Sequence, residues 1–175
     1  MYQSILFKIA ILGDGGVGKS TMLQRLITNE FIPCQMTIGT DFKMYDVQVN
    51  NTLIKLQLWD LAGEDRFRFL IGSYCRGASG VLLCYDITRY ITFKNLDKWY
   101  SIAKENADDP VVILVGGKKD LEFKRTVPED LGQQYKEQYQ LDYFFETSSK
   151  SGVNNKLIFE TLAKAIAEKR EIELT

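Results

Sequence analysis

Eight residues restrict what this chain can fold into: Gly13-Asp14-Gly15-Gly16-Val17-Gly18-Lys19-Ser20. A short apolar run, Ile5–Leu12, interrupted only by Lys8, leads into them. A helical pattern over Ser20–Asn29 follows, with Met22, Leu23, Leu26 and Ile27 on one face. The pattern G-x-x-x-x-G-K-S/T between a strand and a helix is a phosphate cradle. Glycines let the backbone wrap the phosphates with its N–H groups inward, and the helix N-terminus adds positive potential. Lys19 places a cation on the outer phosphates, and Ser20 offers a hydroxyl to Mg²⁺. A plain glycine turn with an exposed lysine would not need the flanking strand and helix.

The rest of the chain keeps the same rhythm. Phe42–Val49 and Leu53–Trp59 are strand-like, and Asn50-Asn51 between them predicts a hairpin. Glu30–Thr40 reads as a loop, with Pro33 and Gly39 and no clear period. Val81–Tyr85, Val111–Val115 and Tyr143–Phe145 predict further strands, and Phe93–Lys104, Glu129–Tyr139 and Val153–Arg170 predict helices. Strands alternating with helices give an α/β fold. The expected sheet is six-stranded and mostly parallel, with one antiparallel edge strand and helices on both faces.

Composition narrows the function classes. The 175 residues suit one domain, 1–175, and the net charge of -1 gives no basic excess for nucleic acid. Histidine is absent, which removes Ser-His-Asp and Cys-His chemistry and disfavours zinc. Cys34, Cys75 and Cys84 form no CxxC pair and are odd in number, so a reducing compartment is expected. The N-terminus carries no signal-like segment, and Tyr2 stands where myristoylation needs glycine. No apolar stretch is long enough to span a bilayer. The expectation is a cytoplasmic monomer.

Three further segments carry chemistry. Asp60-Leu61-Ala62-Gly63 ends an apolar strand, where a carboxylate can hold Mg²⁺ and Gly63 lets a backbone N–H approach the terminal phosphate. Lys118-Lys119-Asp120 follows another strand, at the end where such sheets bind ligands. Its carboxylate can accept two N–H bonds from guanine, a donor pair that adenine lacks. Glu146-Thr147-Ser148-Ser149-Lys150 offers backbone N–H groups to a base carbonyl. Each of the last two is by itself an ordinary polar turn.

In this order and spacing the four segments resemble the motif series of the Ras-superfamily GTPases, over nearly the whole chain. Ile38-Gly39-Thr40-Asp41-Phe42, Lys55-Leu56-Gln57-Leu58-Trp59-Asp60, Tyr74-Cys75-Arg76-Gly77-Ala78 and Tyr85-Asp86-Ile87-Thr88 are most similar to the Rab family. The resemblance implies a P-loop NTPase fold and a GTP/GDP switch in vesicle traffic. It places Gly15, Gly16, Val17, Gly18, Lys19, Ser20 and Thr21 on the phosphates, and Phe31, Lys118, Asp120, Ser148, Ser149 and Lys150 around the base. Thr37 would be the switch threonine, joining Ser20 and Asp60 on Mg²⁺, with Gly63 at the terminal phosphate. Lys19, Thr37 and Glu64 would serve hydrolysis. Residues 30–42 and 61–78 would be the switches that meet effector, activator and exchange-factor proteins, with Phe42, Trp59 and Tyr74 as an aromatic triad.

Four departures from that pattern bear on function. Glu64 stands where the family has a water-orienting glutamine, and a carboxylate accepts without donating. Slow or partner-assisted hydrolysis is therefore expected, with Arg66 or Arg68 as candidate arginines in cis. Gly117 replaces an asparagine that ties the base loop to the P-loop, so looser nucleotide binding is expected. Phe31–Thr37 is one residue short and carries Cys34 near the place of a usual tyrosine. Glu171–Thr175 offers no cysteine for prenylation, so no direct lipid anchor is visible in this chain: either the protein works untethered and meets membranes through partners, or a lipidated tail lies beyond the sequence given. Two other readings stay open: a GTP-holding scaffold with little hydrolysis, and a P-loop kinase acting on another substrate.

Overall fold

The computed structural model describes residues 3–174. The readings made at Tyr2 and Thr175 lie outside the described residues. In chain order the elements begin with β1 (Gln3–Gly13), α1 (Lys19–Thr28), β2 (Thr40–Val49) and β3 (Thr52–Leu61). Next come α2 (Arg68–Cys75), β4 (Gly80–Asp86), α3 (Tyr90–Lys94) and α4 (Leu96–Asn106). β5 (Val111–Gly117), α5 (Glu129–Gln138), β6 (Tyr143–Glu146) and α6 (Asn155–Lys169) complete the chain. Short 3-10 turns cover Asp65–Phe67 and Lys119–Lys124.

The sheet is six-stranded in the order β2-β3-β1-β4-β5-β6. Every pair is parallel except β2–β3, so the antiparallel strand lies at the edge, as the hairpin reading expects. Asn50 turns that hairpin at φ 51, a left-handed conformation that asparagine tolerates.

From Ile9 to Leu12 β1 is buried on both faces, which is why that stretch is an apolar run and not an alternation, whereas Leu6 nearer its start is 56% exposed. Ile9 and Ile11 point into the core beneath α1 and α6, with Leu58, Leu82, Ile113 and Leu162. Ala10 and Leu12 point into the core beneath α2 to α5, with Leu83, Leu114 and Trp99. Ligand-bearing loops therefore emerge from the C-terminal ends of β1, β3, β4, β5 and β6 on one rim.

Three local readings change. Ile27 is 44% exposed, because α1 ends one residue later and Ile27 overhangs the core. The helix read over Phe93–Lys104 is two helices that start at Tyr90 and break at Asn95. Thr92 fixes that earlier start by accepting the Asp86 N–H at 2.9 Å, and Asn95 turns aside to bond Asp14. α2 was not anticipated: it buries only Ile71 and Cys75, and Gly72 weakens its helical pattern. A Cβ at that glycine would stand 3.0 Å from Asn106 Nδ2, so a larger residue there would make the Asn106 side chain give by a few tenths of an ångström.

Candidate nucleotide site

β1 runs straight into the glycine loop. Gly16 and Gly18 are left-handed, at φ 75 and φ 104, which turns successive N–H groups to the inner side of the loop. Lys19 opens α1 and folds back over the loop, its Nζ 2.8 Å from Gly13 O and 3.0 Å from Asp14 O. Only 6% of Lys19 is exposed, and this burial lowers its pKa against the pull of nearby acidic groups. A buried ammonium held by neutral carbonyls is a site built for an anion.

Beside it three oxygens converge from three elements. Ser20 Oγ lies 2.5 Å from Thr37 Oγ1, Thr37 Oγ1 lies 3.2 Å from Asp60 Oδ2, and Ser20 also bonds Asp60. Asp60 is fully buried, and its Oδ1 has no hydrogen-bond partner among the described residues. Burial raises its pKa, with the Ser20 bond and the Lys19 charge opposing. Hard oxygens around an orphaned carboxylate oxygen fit Mg²⁺. No cluster of three acidic, cysteine or histidine side chains exists among the described residues, so a cation here needs oxygens from water or a phosphate as well.

From this corner a cavity of about 510 Å³ extends to the loops after β5 and β6, a size that suits a small-molecule ligand. Gly15 to Thr21 form its floor, and Phe31, Pro33, Cys34 and Met36 form its outer wall. Lys118, Asp120, Ser149 and Lys150 close its far end, together with Thr147 and Leu121. Asp120 is exposed, and its Oδ1 accepts the buried Ser148 hydroxyl at 2.8 Å. Ser148 thus stands behind the wall and aims the carboxylate. The loop is fixed from below by Glu146, whose carboxylate takes Arg125 Nη1 at 2.6 Å and Nη2 at 2.7 Å.

Gly63 lies on the P-loop, with Gly15 N–H donating to its carbonyl at 3.2 Å. Ala62 N–H donates to Gly39 O at 2.9 Å, so the segments 30–42 and 61–78 are joined. Glu64 is not on the cavity wall; it pairs with Arg66 Nε at 2.5 Å. Arg68 pairs with Asp65 and lies over the Trp99 ring, 5.5 Å from its centroid, so it faces α4 and not the cavity. Phe42, Trp59 and Tyr74 form a continuous aromatic row, with centroids 5.2 Å and 5.4 Å apart. In the same two segments, 30–42 and 61–78, Ile38 (77%), Phe69 (79%) and Met36 (60%) are exposed.

Sequence reasoning missed a second layer. Asp14 accepts Trp99 Nε1 at 2.8 Å and Asn95 Nδ2 at 2.7 Å, which anchors the P-loop to α4. Arg89 Nη2 donates to Gly15 O at 2.9 Å, and Lys118 Nζ donates to Gly16 O at 2.9 Å.

The Ras family model matches residues 8–168. The chain is 44% identical over 170 residues to Ras-related protein SEC4 of Saccharomyces cerevisiae, covering 96% of this chain and 78% of that protein. It is 45% identical to Ras-related protein RABA1e of Arabidopsis thaliana, over 85% of this chain and 69% of that one. Ras-related protein rab-11.1 of Caenorhabditis elegans is 40% identical, over 92% and 77% respectively.

Proposed function

Since the chain belongs to the Ras family of small GTPases, on its Rab-like side, we propose how its own residues run the switch. It is a GTPase and a GTP/GDP switch of the membrane-traffic type. The observation that carries the residue assignment is the buried, anion-seeking Lys19 at one end of a cavity whose other end presents Asp120.

GTP lies along that cavity. Gly15 to Thr21 and Lys19 hold the phosphates, Asp120 takes the guanine N–H pair, and Phe31, Lys118, Ser149 and Lys150 enclose the base, with Ser148 aiming Asp120. Ser20, Thr37 and Asp60 would hold Mg²⁺, which would neutralise charge on the outer phosphate oxygens. Lys19 and the P-loop N–H groups stabilise the charge that develops as water attacks in line on the terminal phosphoryl group. Residues 1–175 act as one G domain. The aromatic row Phe42–Trp59–Tyr74 and the exposed apolar side chains of 30–42 and 61–78 bind effector, activator and exchange-factor proteins. Among the described residues no helix is long and apolar enough to cross a membrane, and we assign membrane contact to those partners.

The test is single-turnover phosphate release after loading with GTP and Mg²⁺, with ATP as control. Release from GTP alone is expected, at or below the order of 10⁻⁴ s⁻¹, the unassisted Ras scale. Failure to retain GTP would overturn the assignment. Glu64 sets a second expectation. Its carboxylate is engaged by Arg66 and cannot donate to a water-bound partner. Glu64→Gln should release phosphate about tenfold faster, the worth of one aligned hydrogen bond. A slower variant would mean that the carboxylate itself serves the attacking water.

A further inference from the structure

A phosphate loop works only if its carbonyls point away from the phosphates, because each peptide plane that turns its N–H inward turns its oxygen outward. At Gly15 and Gly16 no Cβ restricts that rotation, so something outside the loop must hold the oxygens. In this protein two cations do so. Arg89 Nη2 takes Gly15 O at 2.9 Å, and Lys118 Nζ takes Gly16 O at 2.9 Å.

Both cations are held by one carboxylate. Asp86 Oδ2 lies 2.8 Å from Lys118 Nζ and 3.2 Å from Arg89 Nε, and the side chain is 1% exposed. Its Oδ1 accepts the Thr88 N–H at 2.8 Å and the Thr88 hydroxyl at 2.7 Å. Burial would raise this carboxyl, but the Lys118 bond and the two Thr88 bonds prevail and hold it below its ordinary range. At position 117, where the resemblance puts the asparagine that ties base loop to P-loop, there is a glycine. A Cβ there would stand 3.1 Å from Val17 O, so that route is empty of side chain but not closed to one.

We infer that Asp86 is a positioning residue: through Lys118 and Arg89 it clamps two successive P-loop carbonyls outward, and so takes over the tie that Gly117 cannot make. The inference rests on the nucleotide reading above. It also revises the expectation of loose binding from Gly117 alone.

The test is dissociation of a fluorescent GDP, chased with excess GDP in Mg²⁺, for the parent, Asp86→Asn, Arg89→Ala, the double variant, and Asp86→Asn with Gly117→Asn. Asp86→Asn should release nucleotide about tenfold faster, since it removes the charge from two charge-assisted bonds. Arg89 is exposed and outside both cores, so Arg89→Ala should speed release severalfold with an unchanged melting temperature. The double variant should release no faster than Asp86→Asn alone, because both act through one clamp. Gly117→Asn should slow the Asp86→Asn release back toward the parent. A merely structural Asp86 would lower the melting temperature without this non-additivity or rescue. Parental release by Arg89→Ala, or additive effects in the double variant, would overturn the clamp. A parent that holds no guanine nucleotide would instead overturn the nucleotide reading and the clamp with it.

Discussion

Asp120→Asn should cut GTP affinity roughly a thousandfold and shift preference to xanthosine triphosphate, because a site built around a hydrogen-bonding edge rejects a mismatched edge far more strongly than it rejects a size change. Guanine presents two adjacent N–H donors, from N1 and the exocyclic amine. A carboxylate accepts both. The asparagine amide keeps one acceptor and sets an NH₂ against the guanine amine, donor against donor. Xanthine carries a carbonyl at that carbon and restores the match. The orientation is set by Ser148, whose hydroxyl donates to Asp120 Oδ1 at 2.8 Å and would donate equally to an amide oxygen. Asp120 is exposed, so the substitution should leave the melting temperature unchanged. Competition titrations against a fluorescent GDP, with the triphosphates of guanosine, xanthosine and adenosine, would measure this. GTP affinity within a few-fold of the parent would remove Asp120 from the base pocket.

The sheet was legible because its signals are local. A doubly buried parallel strand is apolar in a continuous run, and Ile9–Leu12, Val81–Tyr85 and Val111–Val115 carry that signature. The edge hairpin announced itself by alternation around Asn50-Asn51. α2 was not legible for a physical reason. It earns its helical state from packing Ile71 and Cys75 against α4, while Gly72 lowers its intrinsic propensity. The break at Asn95 was hidden for the same kind of reason: the side chain that ends α3 bonds Asp14, 81 residues earlier.

The site divides along the same line. The P-loop and the Asp120 segment are short contiguous motifs whose chemistry can be read from residue type and order. The layer behind them is made of pairs far apart in sequence. Trp99 reaches Asp14 across 85 residues, Arg89 reaches Gly15 across 74, and Lys118 reaches Gly16 across 102. No local periodicity reports such contacts. An aspartate at a strand end and an arginine in a turn are as common on inert surfaces as here. What distinguishes Asp86 is burial together with two cations, and burial belongs to the folded chain.

Gly63→Ala should lower single-turnover GTP hydrolysis about a hundredfold while leaving nucleotide affinity near the parent value, since a misplacement of about 1 Å is enough for losses of that size. The reason is backbone against backbone. A Cβ on residue 63 would stand 2.2 Å from Gly15 N, 2.3 Å from the Asp14 carbonyl carbon and 2.5 Å from Gly13 O. None of these atoms can swing aside, because Gly13 and Asp14 are themselves fixed by β1, by Lys19 and by the Trp99 and Asn95 bonds to the Asp14 carboxylate. The segment that carries Gly63 must therefore lift off the P-loop. Lifting it breaks the Gly15 N–H bond to Gly63 O and pulls on the Ala62 N–H bond to Gly39 O, which couples the displacement to the segment that carries Thr37. Lys19 and Asp120 keep their places, so binding survives while the arrangement around the terminal phosphate does not. The discriminating comparison is phosphate release against fluorescent-GDP affinity in the same preparation. A parental rate would mean that the close seat of Gly63 on the P-loop is not occupied during hydrolysis, and affinity falling in step with rate would mean that the substitution had disturbed the loop itself.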